Sequence, residues 1–491
     1  MNTFVRLLIA ALGGALVIGL LVALLAVLSS AGAQAAEPDW RAVEAETLRH
    51  FQILVRMDTS DPPGNEKPAA DYLEQVLKSE GIPVQVFARE PHRPNVVARL
   101  AGSGAKRPVL IMGHTDVVNV DPKKWTHPPF GAERDGGYIY GRGTLDDKDS
   151  VTAALMTMLL LKRAGQLLDR DVIFLAEAGE EGNTPLGIEY MVNEHFDAID
   201  AQFCFAEGGS VSRAGGAVRF ASIQTGEKIP NGIDLIAHGA SGHGSVPLQT
   251  NAIAHLAHAV VAVTQWQPPV VLNDTTRAYF ARLAEIAPPD LAPHYRDVLS
   301  PDANVVAAAD AWLRANEPRH ASMLRTSISP NIVQGGYRNN VIPSEAKATL
   351  DVRMRPGESF DGFLAELKRV VNDPAVDVVF NGWPPSATGK PRPGGLSPID
   401  SEAFAAAERA VTKHYATTTL PTISTFATDM AFLRAKGMQC YGLQPATDDE
   451  DEPLGFWMHG DQERILEAEL HRFVRFHWDI VATLAGANAR R

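Results

Sequence analysis

The chain has 491 residues, 45% hydrophobic and 21% charged, a globular composition with room for two or more folding units. A formal net charge of −13 argues against a nucleic-acid partner, because phosphate binding needs clustered Lys and Arg. Cys204 and Cys440, the only cysteines, sit in apolar strand-like stretches and read as two buried thiols rather than a disulfide framework.

In chain order, the first feature is an uncharged run at 7–28 that follows Arg6. It is long enough to cross a bilayer as a helix. Small residues follow, with Ala33-Gln34-Ala35 resembling a secretory cleavage site. The segment 1–36 therefore reads as either a cleaved signal peptide or an uncleaved membrane anchor. Both place the bulk of the chain outside the cytoplasm: exported, periplasmic or extracellular, or membrane-anchored.

Residues 40–81 read as helical, broken by TSDPPGNE at 59–66, and VQVFAR, NVVARLAG and RPVLIMGH follow as strands. The helical stretch 148–165 leads to the strand DVIFLAEAGEE. Strands alternating with helices indicate an α/β class with a mostly parallel central sheet flanked by helices.

From residue 229 the pattern changes. GIDLIAHGA reads as a strand, TNAIAHLAHAVVAVTQW as a helix and NVIPSEAKATLDVRM as a strand or hairpin. SFDGFLAELKRVVND is helical and AVDVVFNG strand-like, the β-α-β-β-α-β order of a ferredoxin-like α+β unit. A long, Pro-rich, helix-prone insertion occupies 268–325 within it. The proline-rich linker WPPSATGKPRPGG then returns the chain to the first pattern. The expected division is 41–228 and 385–491 for the larger domain, with 229–384 inserted. The acidic run DDEDE at 448–452 reads as a solvated loop.

Five places combine metal-type ligands with strand-end or loop context. They are His114 and Asp116 in VLIMGHTDVV, Asp146 and Asp147 in YGRGTLDDKDS, and Glu180 and Glu181 in FLAEAGEEG. Glu207 in FCFAEGGS and His459 in FWMHGDQER complete the set. Singly, each has a plain structural reading: a hydrogen-bonded His, a helix cap at Asp146, a turn acid at Glu207. Together they gather at the carboxyl ends of strands, where open α/β sheets place their sites. Imidazole and carboxylate without thiolate suit zinc, cobalt or manganese at a hydrolytic site. Two His and three acids exceed what one catalytic zinc needs but suit two metals sharing a carboxylate.

GHTDVV, GRGTLDDK, EAGEEG, AEGG and HGDQER, in this order over nearly the whole chain after residue 40, resemble the zinc aminoacylase and carboxypeptidase family. That family includes glutamate carboxypeptidase, succinyl-diaminopimelate desuccinylase and acetylornithine deacetylase. WTHPPFGAERDGGYIYGRGT and AEGG most resemble its carboxypeptidase S branch, with secreted N-acyl-amino-acid hydrolase relatives.

The resemblance implies two divalent metal ions, most simply zinc. His114 and Glu207 would bind one, Glu181 and His459 the other, and Asp146, ahead of a cis peptide to Asp147, would bridge them. Asp116 would orient His114, and Glu180 would act as general base. The inserted unit resembles the family's lid and dimerisation domain. There His243 would reach over from a partner subunit to the oxyanion, while Asn340 (or Asn339) and Arg353 would hold a substrate carboxylate. The implied activity is a dinuclear-metal amidohydrolase acting next to a free-carboxylate amino acid, on small molecules or short peptides. The alternative is a membrane-tethered peptide- or solute-binding protein of the same fold without catalysis. An aminopeptidase is disfavoured because Arg353 implies recognition of a carboxylate. Two features depart from the family pattern: Phe426 narrows the turn before Asp429, and the insertion at 268–325 makes the lid longer than in compact members.

Overall fold

Three runs almost free of polar side chains form the centre of the fold. The strands Val109–His114, Val172–Glu177 and Phe203–Ala206 are buried along their whole length, as strands covered on both faces must be. Alternation sorts their residues between two cores. Val109, Ile111, Val172, Phe174, Phe203 and Phe205 pack in a core shared with the helices Lys148–Ala164, Glu402–Tyr415 and Glu467–Ala485. Leu110, Met112, Ile173, Leu175 and Cys204 face the opposite core with Ile188, Met191 and Leu433. The result is a layer of helices on each face of one sheet.

The computed structural model describes residues 38–487. The run at 7–28, and the expected signal or anchor with it, lies outside the described residues. Among the described residues no helix is long and apolar enough to cross a membrane.

The central sheet has ten strands. Val172–Glu177, Val109–His114, Phe203–Ala206 and Gln439–Gly442 lie side by side in that order, all parallel. Antiparallel strands extend this parallel centre on both sides, Pro94–Leu100 beyond Val172–Glu177 and Ala217–Glu227 beyond Gln439–Gly442. Cys204 stands directly opposite Cys440, and both are buried free thiols, as their apolar surroundings predict.

Residues 229–380 contain a second sheet of four antiparallel strands, in the order Ser327–Gly335, Glu345–Met354, Ile229–His238, Val376–Phe380. Its helices Ala252–Gln265 and Phe360–Val371 bury Leu256 and Leu367 against Leu235, Ala348 and Leu350 in a separate core. The edge strand Ser327–Gly335 is absent from the sequence reading. Pro330 interrupts it and its register shifts between Pro330 and Ile332, a combination tolerated only at a sheet edge or bulge.

Two sequence expectations change. The helices of the 268–325 insertion do not lengthen the second sheet's layer. They pack on the central sheet, where Phe280 and Leu283 share a cluster with Leu420, and Arg282 donates to Glu408 (2.6 Å) and to the Thr419 carbonyl (2.7 Å). The DDEDE run is not a simple solvated loop either. Asp451 is buried against the Arg464 guanidinium at 2.6 Å, and Asp448 accepts from the Tyr138 hydroxyl at 2.7 Å. Cations and donors elsewhere in the chain bind those two acids, and local composition does not disclose such partners.

Candidate metal centre

The carboxyl edge of the parallel strands carries the site. Val109–His114 ends on His114, which stands opposite Glu177 in the neighbouring strand. Glu180 and Glu181 lie in the turn after Val172–Glu177, and Glu207 follows Phe203–Ala206. The AEGG turn after Glu207 needs its glycines. Gly208 has φ +119°, and a Cβ there would lie 2.3 Å from the Gln224 side chain. The GRGT turn delivers Asp146 just before the helix Lys148–Ala164, and the Asp146–Asp147 peptide is cis. His459 has φ +62°, an uncommon conformation for a residue with a Cβ. It is 54% exposed and forms the open side of the cluster.

Asp146 lies at the middle. Its Oδ1 is 2.9 Å from His114 Nε2 and its Oδ2 is 3.0 Å from His459 Nε2. His459 Nε2 is also 3.2 Å from Glu181 Oε1. Two donor groups result, His114–Asp146–Glu207 and Asp146–Glu181–His459, with Asp146 common to both. His114 Nδ1 donates to the Asp116 carbonyl at 3.0 Å, so Nε2 is the nitrogen turned to the centre. The Asp116 carboxylate has a further duty: its two oxygens accept the backbone N–H groups of Glu180 (3.2 Å) and Glu181 (3.0 Å). One buried acid thus holds the ring of His114 and the chain of both glutamates.

Electrostatics indicates what such a cluster lacks. Burial raises Glu181, and the Asp146 charge raises it further; burial and then the Asp429 charge push Glu180 well up. Burial, then Glu180, pushes up Glu207. Burial would also raise Asp146, but hydrogen bonds from His114 and His459 pull it below the usual carboxylate range. Hydrogen bonds to Asp146 and Glu181 push His459 up to about 10. Buried carboxylates that hold protons or borrow them from imidazoles fit a site completed by cations, which favour the ionised acids and neutral rings that ligate metal. The donor set, imidazole and carboxylate in two groups around one acid, suits two divalent ions.

A third acid group, Asp61, Glu66 and Asp116, is different because a protein cation already serves it. The buried Arg93 donates to Asp61 at 2.7 Å and to Glu66 at 2.5 and 2.8 Å. Asp429, whose role the sequence leaves open, is buried, and Arg392 donates to it at 2.8 Å. It lines a cavity of about 10 Å³ beneath His114 and Glu207.

The residues expected to hold substrate lie between 229 and 380, Arg353 on the second sheet and His243 and Asn340 at a separate two-stranded ladder. Gly242–His243 pairs with Val341–Ile342, and the Gly244 N–H donates to the Asn340 carbonyl at 2.9 Å, so His243 and Asn340 are neighbours. Both are exposed, as is Asn339, and His243 Nδ1 lies 2.7 Å from the Ser245 hydroxyl. Arg353 emerges from the outward-facing register of Glu345–Met354, bonded to Asp351 at 2.8 Å. Among the described residues no hydrogen bond joins these groups to the donor cluster.

Sequence reasoning missed the clamp between Arg142 and Glu463. Glu463 accepts from Arg142 (2.5 Å) and from the Leu145 N–H (2.8 Å), while Arg142 also reaches the Gly460 carbonyl at 3.1 Å. It ties the turn of Asp146 to the loop of His459. Both residues stand inside the motifs GRGT and HGDQER, where the signal was available but their pairing was not.

Comparison with known proteins agrees with this geometry. The family model described as peptidase family M20/M25/M40 matches residues 110–483. A "Probable carboxypeptidase S-like 2" of Dictyostelium discoideum is 31% identical over 55% of this chain and 53% of its own. The N-fatty-acyl-amino acid synthase/hydrolase PM20D1 of Xenopus tropicalis is 28% identical over 57% of this chain and 54% of its own. The chain thus spans about half the length of these relatives. The M20 family metallo-carboxypeptidase Sso-CP2 of Sulfolobus solfataricus superposes with a TM-score of 0.66 at 18% identity, over 89% of this chain and 98% of that one, a likeness of fold. With a family model matched over most of its length and the expected motifs gathered at one sheet edge, the chain belongs to peptidase family M20/M25/M40.

Proposed function

We propose that the protein is a dinuclear-metal amidohydrolase that cleaves the amide beside an amino acid with a free carboxylate. Its substrates are N-acyl amino acids or short peptides. The observation that carries this reading is the pair Glu180–Glu181, held by Asp116 beside a carboxylate shared between two donor groups. His114, Asp146 and Glu207 would hold one ion, and Asp146, Glu181 and His459 the other. Zinc suits these donors best, with cobalt or manganese as substitutes. When bound, the ions supply an acidified water at neutral pH and polarise the scissile carbonyl.

The protein's own groups do the rest. Glu180 takes the proton of the attacking water and passes it to the leaving nitrogen. Burial and the nearby Asp429 charge push Glu180 up, the direction needed to oppose the acidifying effect of two nearby cations. Arg353, with Asn340 or Asn339, holds the substrate carboxylate, for which a planar guanidinium fork is suited. His243 is solvent-exposed and free to serve a second copy, donating to the carbonyl oxygen as charge develops. Homodimerisation through the inserted unit is supported by the edge strand Ser327–Gly335, with Ile332 and Val333 exposed on it and Tyr337 exposed just after it. The uncharged run at 7–28 supports export, with or without a retained anchor. The names of the two relatives, a carboxypeptidase S-like protein and an N-fatty-acyl-amino acid synthase/hydrolase, fit this chemistry. The non-catalytic binding protein is disfavoured because an acid at 180 adds nothing to a metal cage.

The test is Glu180→Gln, an isosteric change that removes the base. The variant is expected to retain two metal ions per chain and lose nearly all turnover of N-acyl amino acids. Wild-type turnover in that variant refutes the assignment.

A further inference from the structure

A cavity of about 520 Å³ opens between the central sheet and the 268–325 insertion, and three of its lining positions are tied by the chain to the metal centre. Gly209 lies two residues after Glu207 and Trp457 two before His459, so each is within about 7 Å of a donor along the backbone. Phe426 lies three residues before Asp429, which lines the small cavity under His114. The insertion supplies Tyr279 and Met323 to the opposite wall, and Phe220 and Ile423 come from the central sheet.

The wall chemistry identifies the occupant. Phe220, Phe426 and Trp457 are half-buried, while Tyr279, Met323 and Ile423 are buried. The charged groups at the cavity are already satisfied. Glu317 accepts from the Tyr295 hydroxyl at 2.7 Å and from His320 at 2.5 Å. Tyr279 donates to His320 at 2.9 Å, and Arg319 pairs with Glu452 at 2.8 Å. The Ser210 and Ser222 hydroxyls pair with each other at 2.9 Å. A polar ligand would find these partners taken, whereas an apolar one meets an aromatic and aliphatic wall already organised to receive it. Arg353, Asn340 and His243 do not line the cavity, so it takes a part of the substrate other than the carboxylate end.

We propose that this cavity is the acyl subsite: it receives the apolar acyl chain of an N-acyl amino acid, and the insertion makes the enzyme selective for longer chains. This rests on the amidohydrolase reading above. The packing of the insertion against Leu420 rather than on the second sheet gives the subsite a wall fixed to the catalytic layer, one that does not travel with the substrate-holding sheet.

The experiment uses the zinc-loaded full chain and two series of ligands: N-acyl leucines from acetyl to decanoyl for turnover, and the free straight-chain carboxylates for calorimetric binding. In both, the constant is expected to rise about fourfold per added methylene until the cavity is filled. Thr425 also lines the cavity, and Thr425→Trp, which adds bulk there, is expected to lower the decanoyl-to-acetyl ratio of kcat/KM at least tenfold. Phe426→Ala is expected to extend the rise to longer chains. A flat chain-length profile in binding, or a Thr425→Trp change that lowers acetyl and decanoyl alike, overturns the subsite. Binding that rises with chain length and is abolished by Thr425→Trp, with no N-acyl leucine cleaved, sustains the subsite and refutes the hydrolytic reading instead.

Discussion

Replacing Asp116 with Asn changes one atom's identity and removes one charge at the point where three site residues meet. Asp116 is fully buried, and its two oxygens accept the N–H groups of Glu180 and Glu181 at 3.2 and 3.0 Å. Each bond to a charged acceptor is worth about 1.5–3 kcal/mol. The Asn oxygen keeps one of them as a weaker neutral bond, and its NH₂ opposes the other N–H. A net loss of about 2–4 kcal/mol in folding free energy follows. The same change removes negative charge 3.5 Å from His114 Nδ1 and unsettles the backbone of Glu180 and Glu181, while the Asp116 carbonyl still holds the ring; metal affinity is expected to fall about 10-fold, the low end of the range for outer partners. Urea unfolding with chelator reads the first quantity, and competition against a chromophoric chelator reads the second. Leu110→Ala, on the strand that ends at His114 but in the core, is the control: a cavity costing about 2–5 kcal/mol at a residue packed in the core opposite the main helices. Asp116→Asn binding zinc as tightly as wild type, or Leu110→Ala losing zinc equally, would refute the claim that Asp116 orients the ligands.

His477 is buried in the helix Glu467–Ala485, its Nδ1 2.8 Å from the Thr157 hydroxyl, and burial pushes its pKa down from 6.5 to about 3. Between those values the unfolded chain binds a proton that the folded one does not. Stability is therefore full above about pH 6.5 and falls toward pH 3, by up to about 1.4 kcal/mol per pH unit. His477→Gln should flatten that slope in urea titrations at pH 4 and 6.5, and an unchanged slope would assign the acid sensitivity elsewhere. At Gly113 a Cβ would sit 2.7 Å from Asp147 Oδ2 and 3.0 Å from Val151, and that oxygen accepts the His114 N–H at 3.2 Å. Gly113→Ala is expected to weaken zinc binding while the chain still folds, and unaltered zinc affinity would show that the strand absorbs the methyl. Arg353→Ala is expected to lower kcat/KM about 10–100-fold for substrates with a free carboxylate. Their amidated analogues should be far less affected, and an equal loss on both would show that Arg353 does not read the carboxylate.

The two structural layers were largely legible because their strands and helices follow simple periodicities. Short continuous apolar runs bounded by turn signals, such as VLIMGH and VIFLAE, fit strands covered on both faces. Strict alternation in Glu345–Met354 puts Ala348 and Leu350 inward and Arg353 outward. The edge strand Ser327–Gly335 was not legible, since an edge needs neither alternation nor freedom from proline. The donors were legible by type and by their place at strand ends. Their partners were not: Arg93, Arg392 and the Arg142–Glu463 clamp join residues far apart in the chain.

The sequence by itself determined most element types and the residue types and strand-end places of the candidate ligands, because these follow from local pattern and from chemistry carried at short spacing. Only the tertiary structure decided that Asp146 lies between two imidazoles, that Asp116 holds both glutamates by their backbone, and that the insertion walls a cavity beside the centre. Those are relations between segments up to hundreds of residues apart. Burial and through-space charge fix them, and neither is a property of any one stretch of chain.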